Sequence, residues 1–358
     1  MKIKFLLSLV MVTAGIEAAA CDLNSAAPVT ATLPGLTDGR DVRTVLLENN
    51  VQLDLTDAPG VLQIRGAGSL LVLAELSRWP TPSGSIGSIR AEPVVLDSDY
   101  DGIADAVYAI DINGRLWSVA FTASGFSLPE LVADFSDTAL TFRQPLRLVQ
   151  TLIPGDGGRN TKHNLLLVVG SDAVAGDTLF AVRHYASRIA PITMVDLIQR
   201  QDISADELRY GIDEHLWQRI QRASGWYLSL NASITMAPKV YAGVVYLTSA
   251  EVSAVRADCS LADSAEMTVH ALHLHHAGAV YANRQWQIPA LAQAELSLHQ
   301  NAEGQLEIIL ENAEAQDRII SELVAISEEC ADCVSPLSAD QFPRLLELAT
   351  YQTEEGAH

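Results

Sequence analysis

Short apolar and aromatic runs recur along the chain, each closed by Gly, Asn, Asp or Ser. Residues 61–65 and 70–75 flank Gly66-Ala67-Gly68-Ser69, and residues 107–111 and 115–121 flank Asn113-Gly114, the favoured two-residue hairpin turn. An aliphatic run at 165–169 is followed by a polar turn at 170–176 and by a run at 177–183 carrying Phe180. Residues 244–248 and 269–274 look like a further pair, and 296–310, broken at 301–304, like another. Such recurrence predicts repeated antiparallel sheets, one four-stranded unit every roughly 40–50 residues, in an all-β, degenerate β-propeller of about five to seven blades. A β-sandwich built from the same hairpins is the alternative.

Two segments break the β pattern. Ser204 and Glu207 form a capping box, and Leu208, Ile212, Leu216 and Ile220 lay an apolar stripe along one face, which predicts a helical insertion near 204–222. Ile319, Ile320, Leu323, Val324 and Ile326 predict a C-terminal helix over 313–328. The resulting organisation is a signal peptide at 1–20, a flexible tether at 21–40, a propeller at 41–311 and a helical segment with a CxxC at 312–358.

Between the runs lies the densest group of acids. Asp97, Asp99, Asp101 and Asp105 fall at positions one, three, five and nine of a loop whose sixth residue is Gly102. Carboxylates about 4 Å apart repel by roughly 1 kcal/mol per pair even in water, so the loop calls for a cation. Alternate side chains can turn inward while Gly102 makes the sharp bend and the carbonyl of Ile103 faces the ion. Oxygen ligands alone favour Ca²⁺; without Cys or His, zinc and copper fit poorly. The pattern departs from an EF-hand at position twelve, where Tyr108 replaces the bidentate Glu and a strand follows.

The 358 residues suffice for a large core, and a net charge of −21 with no Lys/Arg-rich run argues against nucleic acid as a partner. Lys2 and Lys4, an apolar run at 5–12 and Ala18-Ala19-Ala20 before Cys21 read as an export signal. The same stretch loosely fits a lipoprotein signal, with Ala18 where Leu is usual, so lipidation of Cys21 stays open. Export places Cys259, Cys330 and Cys333 where disulfides form; Cys330 and Cys333 lack the βαβ context of a redox CxxC, and the pairing is not fixed.

Several of these residues, taken together, resemble the C-terminal propeller of the PilY/PilC family of type IV pilus biogenesis and tip-adhesin proteins. The acidic loop running into Tyr108-Ala109-Ile110-Asp111-Ile112-Asn113-Gly114-Arg115-Leu116-Trp117 is similar to the family's calcium loop and the strand pair behind it. Gln144-Pro145, Val169-Gly170-Ser171 and Leu179-Phe180-Ala181-Val182-Arg183 follow in the family's order. Gly225-Trp226-Tyr227-Leu228-Ser229-Leu230 and the stretch from Ala237-Pro238 through Val244-Val245-Tyr246 to Asp258-Cys259 complete the set, which spans residues 60–280. Gly170-Ser171-Asp172 stands where the family has Gly-Thr-Gly, and the Gly-Gly-Ser run expected after the cysteine is absent at 260–263. The family usually carries a long N-terminal half, whereas here the expected signal leads almost directly into the expected propeller, so adhesion through such a domain is not carried over. The resemblance implies a calcium-responsive role in pilus biogenesis or pilus-associated adhesion in the periplasm or at the cell surface. Its implied partners are minor pilins or the pilus assembly machinery.

No spacing supports catalysis: GxSxG, HExxH and Gly-rich phosphate loops are missing. His270, His273, His275 and His276 are the best nitrogen cluster, but strand alternation puts His270 and His276 on one face and His273 and His275 on the other. They read as strand and turn histidines. Two other classes remain as alternatives: an integrin-like or sugar-binding propeller, which uses the same loop in several copies where one is present here, and a quinoprotein oxidoreductase, whose adjacent cysteines are missing. The expected metal ligands are therefore Asp97, Asp99, Asp101, Ile103 and Asp105, in a non-enzyme.

Overall fold

The computed structural model describes residues 29–34, 42–49, 59–154, 160–185, 190–255, most of 261–320, and 351–352. The described strands form five sheets, antiparallel except where Ile198–Gln199 runs parallel to Gly225–Ser229, and apart from Tyr351–Gln352, which joins the third, they follow one another along the chain. The first joins Val29–Pro34, Val42–Asn49, Leu62–Gly66 and Val72–Leu76. The second joins Val94–Leu96, Ala106–Ile110 and Arg115–Thr122, with Gly125–Phe126 and Glu130–Asp134 both paired to the last of these. The third contains Arg147–Pro154, Asn160–Asp172, Gly176–His184 and Gly225–Ser229, flanked by Ile198–Gln199 and Tyr351–Gln352. Ser233–Tyr241, Val244–Ala250, Glu266–His273 and Gln285–Pro289 make the fourth, and Glu295–Gln300, Leu306–Glu311 and Gln316–Ile320 the fifth. Outside the third sheet's two short flanking strands, consecutive strands mostly pair as neighbours, the arrangement of propeller blades.

Packing explains why the central strands lack simple apolar–polar alternation. In Ala106–Ile110, Val107 and Ala109 join a core with Leu33, Leu47 and Ile64 of the first sheet, whereas Tyr108 and Ile110 join one with Leu166, Val168 and Phe180 of the third. The third sheet repeats the device: Leu165, Leu167 and Val169 turn toward Val245, Leu247 and Leu272 of the fourth. Tyr246, Val269 and Ala271 then share a core with Leu296, Ile308 and Leu310 of the fifth. Ala106–Ile110, residues 165–169 and Val244–Ala250 are thus buried on both faces, each Val, Leu or Ile side chain contributing about 1.5–3 kcal/mol. Close approach needs glycine at one hairpin: Gly114 has φ +92°, and a Cβ there would come 2.5 Å from Phe142. Phe142 belongs to a cluster with Phe135 and Phe180, whose rings stack 4.6 Å apart.

Three expectations change. Residues 29–34, expected in a tether, form a strand with Ala31 and Leu33 buried. Gln316–Ile320, expected within the C-terminal helix, is a strand paired with Leu306–Glu311. The rest of that segment, residues 1–20 and all four cysteines lie outside the described residues. The insertion is two short helices, Ala205–Tyr210 and Glu214–Arg222, split where Gly211 takes φ +80° and Asp213 caps the second by accepting from the Leu216 N–H. Ser204 accepts from the Glu207 N–H as a capping residue should, but the Glu207 carboxylate pairs with Arg200 instead of closing the box. Of the expected stripe, Ile220 is buried and Leu208 is exposed.

Candidate metal centre

Leu96 pairs with Ala106 in register, so residues 97–105 are the loop of a hairpin rather than a helix–loop–helix segment. The Asp105 N–H closes it onto the Leu96 carbonyl at 2.7 Å. Tight folding inside the loop needs left-handed backbone at Tyr100 (φ 62°) and at Gly102 (φ 83°).

The carboxylates take up the loop's own donors. Buried Asp97 accepts from the N–H groups of Tyr100 at 2.7 Å and Gly102 at 2.9 Å. Asp105 accepts from the backbone N–H of Ser98 at 2.7 Å and from its hydroxyl. These bonds turn Asp97, Asp99 and Asp105 together, with one oxygen of each within 4.8 Å of the others. Asp101 is not in that group; its Oδ1 accepts from the Ile103 N–H at 2.7 Å. Among the described residues this trio is the group of three or more His, Cys, Asp or Glu side chains that meets such a spacing. An all-oxygen set of this kind fits Ca²⁺ better than a softer metal.

Contacts to both neighbouring sheets fix the loop. The Ala104 N–H donates to the Thr32 carbonyl of the first sheet at 2.8 Å. From the third sheet, Gln150 Nε2 donates to the Asp97 carbonyl at 2.8 Å, and the Lys162 ammonium donates to the Ser98 carbonyl while lying 4.3 Å above the Tyr100 ring. Phe121 donates its N–H to the Asp105 carbonyl at 2.7 Å and so ties the loop's end to the following ribbon. Sequence reading missed Thr32, Gln150 and Lys162, because nothing local to those residues marks contacts made across three sheets.

The histidines correct the alternation argument. The strand ends at His273, and the turn behind it brings the His276 ring parallel to that of His273, with centroids 3.8 Å apart, although the two were expected on opposite faces. His270 stays on the strand and bonds Ser249 Oγ at 2.8 Å. Burial, then neighbouring positive charge, pushes His270 down to about 4 and His275 and His276 to about 3. A second polar link joins Tyr108 of the second sheet to His184 Nδ1 of the third at 2.7 Å, and burial pushes the phenol up to about 12.

No protein-family model and no curated protein matches the chain. Among solved structures, BBS1N in complex with ARL6DN superposes with a TM-score of 0.36 at 12% identity, covering 82% of this chain and 77% of that one, too distant to support an argument. The C-terminal domain of Pseudomonas aeruginosa PilY1 superposes with a TM-score of 0.51 at 14% identity, covering 81% of this chain and 70% of that domain. At that identity the likeness establishes a shared propeller-like fold.

Proposed function

We propose that this chain is an exported, non-catalytic propeller that binds Ca²⁺ in its 97–105 loop and acts in type IV pilus biogenesis or pilus-associated adhesion. The observation that carries the reading is the gathering of Asp97, Asp99 and Asp105 within 4.8 Å, in a loop bonded to sheets on either side. The fold likeness to a PilY1 domain supports the pilus half of it.

A bound Ca²⁺ would supply the positive charge this crowd of carboxylates lacks. Asp97, the buried member, would anchor it while its backbone carbonyl stays on Gln150. Asp99 and Asp105 would close over it, holding the loop against Thr32 and Gln150, so that three sheets keep one relative position. On this reading the calcium-loaded face is what minor pilins or the assembly machinery meet, in the periplasm or at the cell surface.

Calorimetric titration of the purified chain with CaCl₂, beside Asp97→Asn, tests the first half. One binding event in the parent protein and none in the variant is expected. Co-purification of tagged protein with minor pilins, in calcium and in EDTA, tests the second. Recovery in neither would sink the pilus reading while leaving the metal site standing, and equal recovery in both would keep the pilin contact but show that it does not depend on calcium.

A further inference from the structure

Arg183 is a fully buried cation whose hydrogen bonds among the described residues go to neutral groups. Nη1 donates to the carbonyls of Ile220 at 2.7 Å and Ala223 at 3.3 Å, Nη2 to that of His275 at 3.2 Å, and the Tyr185 phenol is a further partner. No carboxylate among the described residues pairs with it. Its neighbour Arg200, almost as buried, does have one in Glu207. A buried charge without a counter-charge is costly enough that structures seldom leave it so.

The same corner holds further unspent donors. Arg183 Nε, His163 Nδ1 and His275 Nδ1 are all shielded from solvent and all lack a hydrogen-bond partner. They share one place, at the polar end of the seam between the third and fourth sheets. Thr151 stands directly across from His163 in strand register, and its hydroxyl meets His275 Nε2 at 3.3 Å. The His163 ring packs edge-on against Tyr185, centroids 4.6 Å apart, and Tyr185 in turn bonds Arg183. In the tautomer whose Nε2 accepts from Thr151, the His275 proton sits on Nδ1, and a neutral His163 can carry its own there too. The result is three N–H groups and one uncompensated positive charge.

We propose that this corner binds a small monovalent anion of the halide class, held by Arg183 Nε–H, His163 Nδ1–H and His275 Nδ1–H. A metal ion is excluded by the guanidinium, which repels cations and has no lone pair to offer. Water could satisfy part of the donor set but would leave the charge unmatched. Buried, unsatisfied polar groups on neighbouring side chains call for an explanation such as an ion or a water, and His163, His275 and Arg183 lie within electrostatic reach of one another.

Crystals soaked in sodium bromide should show an anomalous peak within hydrogen-bonding distance of Arg183 Nε. In solution, bromide or chloride should raise the melting temperature over sodium gluconate at equal ionic strength, and His163→Phe should weaken the halide midpoint about tenfold by removing one donor. Bromide-soaked crystals without that peak, whether water or one of the chain's own carboxylates sits there, overturn the assignment, as does unfolding indifferent to halide. Both readouts work on the parent protein, so a misfolded Arg183 variant would not blunt the test.

Discussion

The side-chain amide of Gln150 donates to the backbone carbonyl of Asp97 across 2.8 Å, so the first acid of the 97–105 loop is held by a residue of the next sheet. Gln150 is itself buried. The bond makes loop geometry depend on how the second and third sheets sit against each other.

Gln150→Leu keeps the side chain's bulk and removes the donor, leaving the Asp97 carbonyl unpaired. The expected loss is about 1–3 kcal/mol of unfolding free energy, with a several-fold weaker calcium midpoint. Urea unfolding in EDTA reads the first and calorimetry the second. Unchanged stability would mean that water replaces the amide at no cost.

The four loop aspartates should not be equivalent. Asp97→Asn and Asp105→Asn should abolish the calcium-induced rise in melting temperature, which for the parent protein is worth about 2.7 kcal/mol at a hundredfold excess over Kd. Asp101, occupied with the Ile103 N–H, should matter less, and Asp101→Asn should weaken binding by no more than about tenfold. Differential scanning calorimetry with and without calcium ranks them. Asp101 outranking Asp97 would show that the loop closes on its ion in another arrangement.

Gly225 stands where the chain returns from the helical insertion to the third sheet, at φ +137°. A Cβ there would lie 1.8 Å from the Ala181 carbonyl oxygen, in the paired strand itself. No small adjustment relieves a clash with backbone, so Gly225→Ala should cost more than about 3 kcal/mol or prevent folding. Yield and melting temperature of the variant settle it.

The hairpins were legible because their turns are written locally. Asn113-Gly114 sits where expected, and the Asp111 carboxylate accepts from the N–H groups of Asn113 and Arg115 to hold that turn. The gathering of Asp97, Asp99 and Asp105 was legible for the same reason, since all three lie within nine residues, whereas Asp101 stands outside the group. What stayed hidden depends on distance in sequence. Glu207 leaves its capping box for Arg200, an ion pair that the capping pattern does not disclose. Residues 273–276 turn where a continuous strand was expected, which stacks two histidines that alternation would separate. Val29–Pro34 reads as part of a flexible tether and becomes a strand through its pairing with Val42–Asn49.

The buried histidines set the acid limit. His270, His275 and His276 are neutral in the fold, with affinities for protons lowered first by burial and then by cations such as Arg284, Arg183 and Arg200. Unfolded, each titrates near 6.5, so the stability they protect is complete above that pH and falls as pH drops toward 3. Each costs about 1.4 kcal/mol per pH unit below 6.5, on the order of 4 kcal/mol per unit for the three. Urea unfolding at pH 7.5, 6.5 and 5.5 in constant chloride should show that steep decline. His270→Gln, which can keep the bond to Ser249, should make it shallower. An identical slope would place the protons elsewhere.

Asp177 works in the opposite direction. Its carboxylate is buried at the junction of the third and fourth sheets, where it accepts from the Ile234 N–H at 2.7 Å. Burial pushes it up to about 6, against the lowering effect of the Ile234 and Ser171 bonds. Because the folded value lies above the unfolded one near 3.8, the protonated form favours the fold: this contribution is complete below about 3.8 and is lost as pH rises through 6. The ionised group then costs about 3 kcal/mol, two pH units' worth. Asp177→Asn keeps an oxygen for the Ile234 N–H and removes the charge. It should therefore be more stable than the parent protein at pH 7.5, by up to about 3 kcal/mol, with the advantage gone by pH 3.5. Denaturant unfolding of the two proteins at those pH values decides the matter. A variant destabilised at pH 7.5 but not at pH 3.5 would show that the ionised carboxylate has a counter-charge, and that the seam between these sheets is held by an ion pair rather than by hydrogen bonds to a neutral acid.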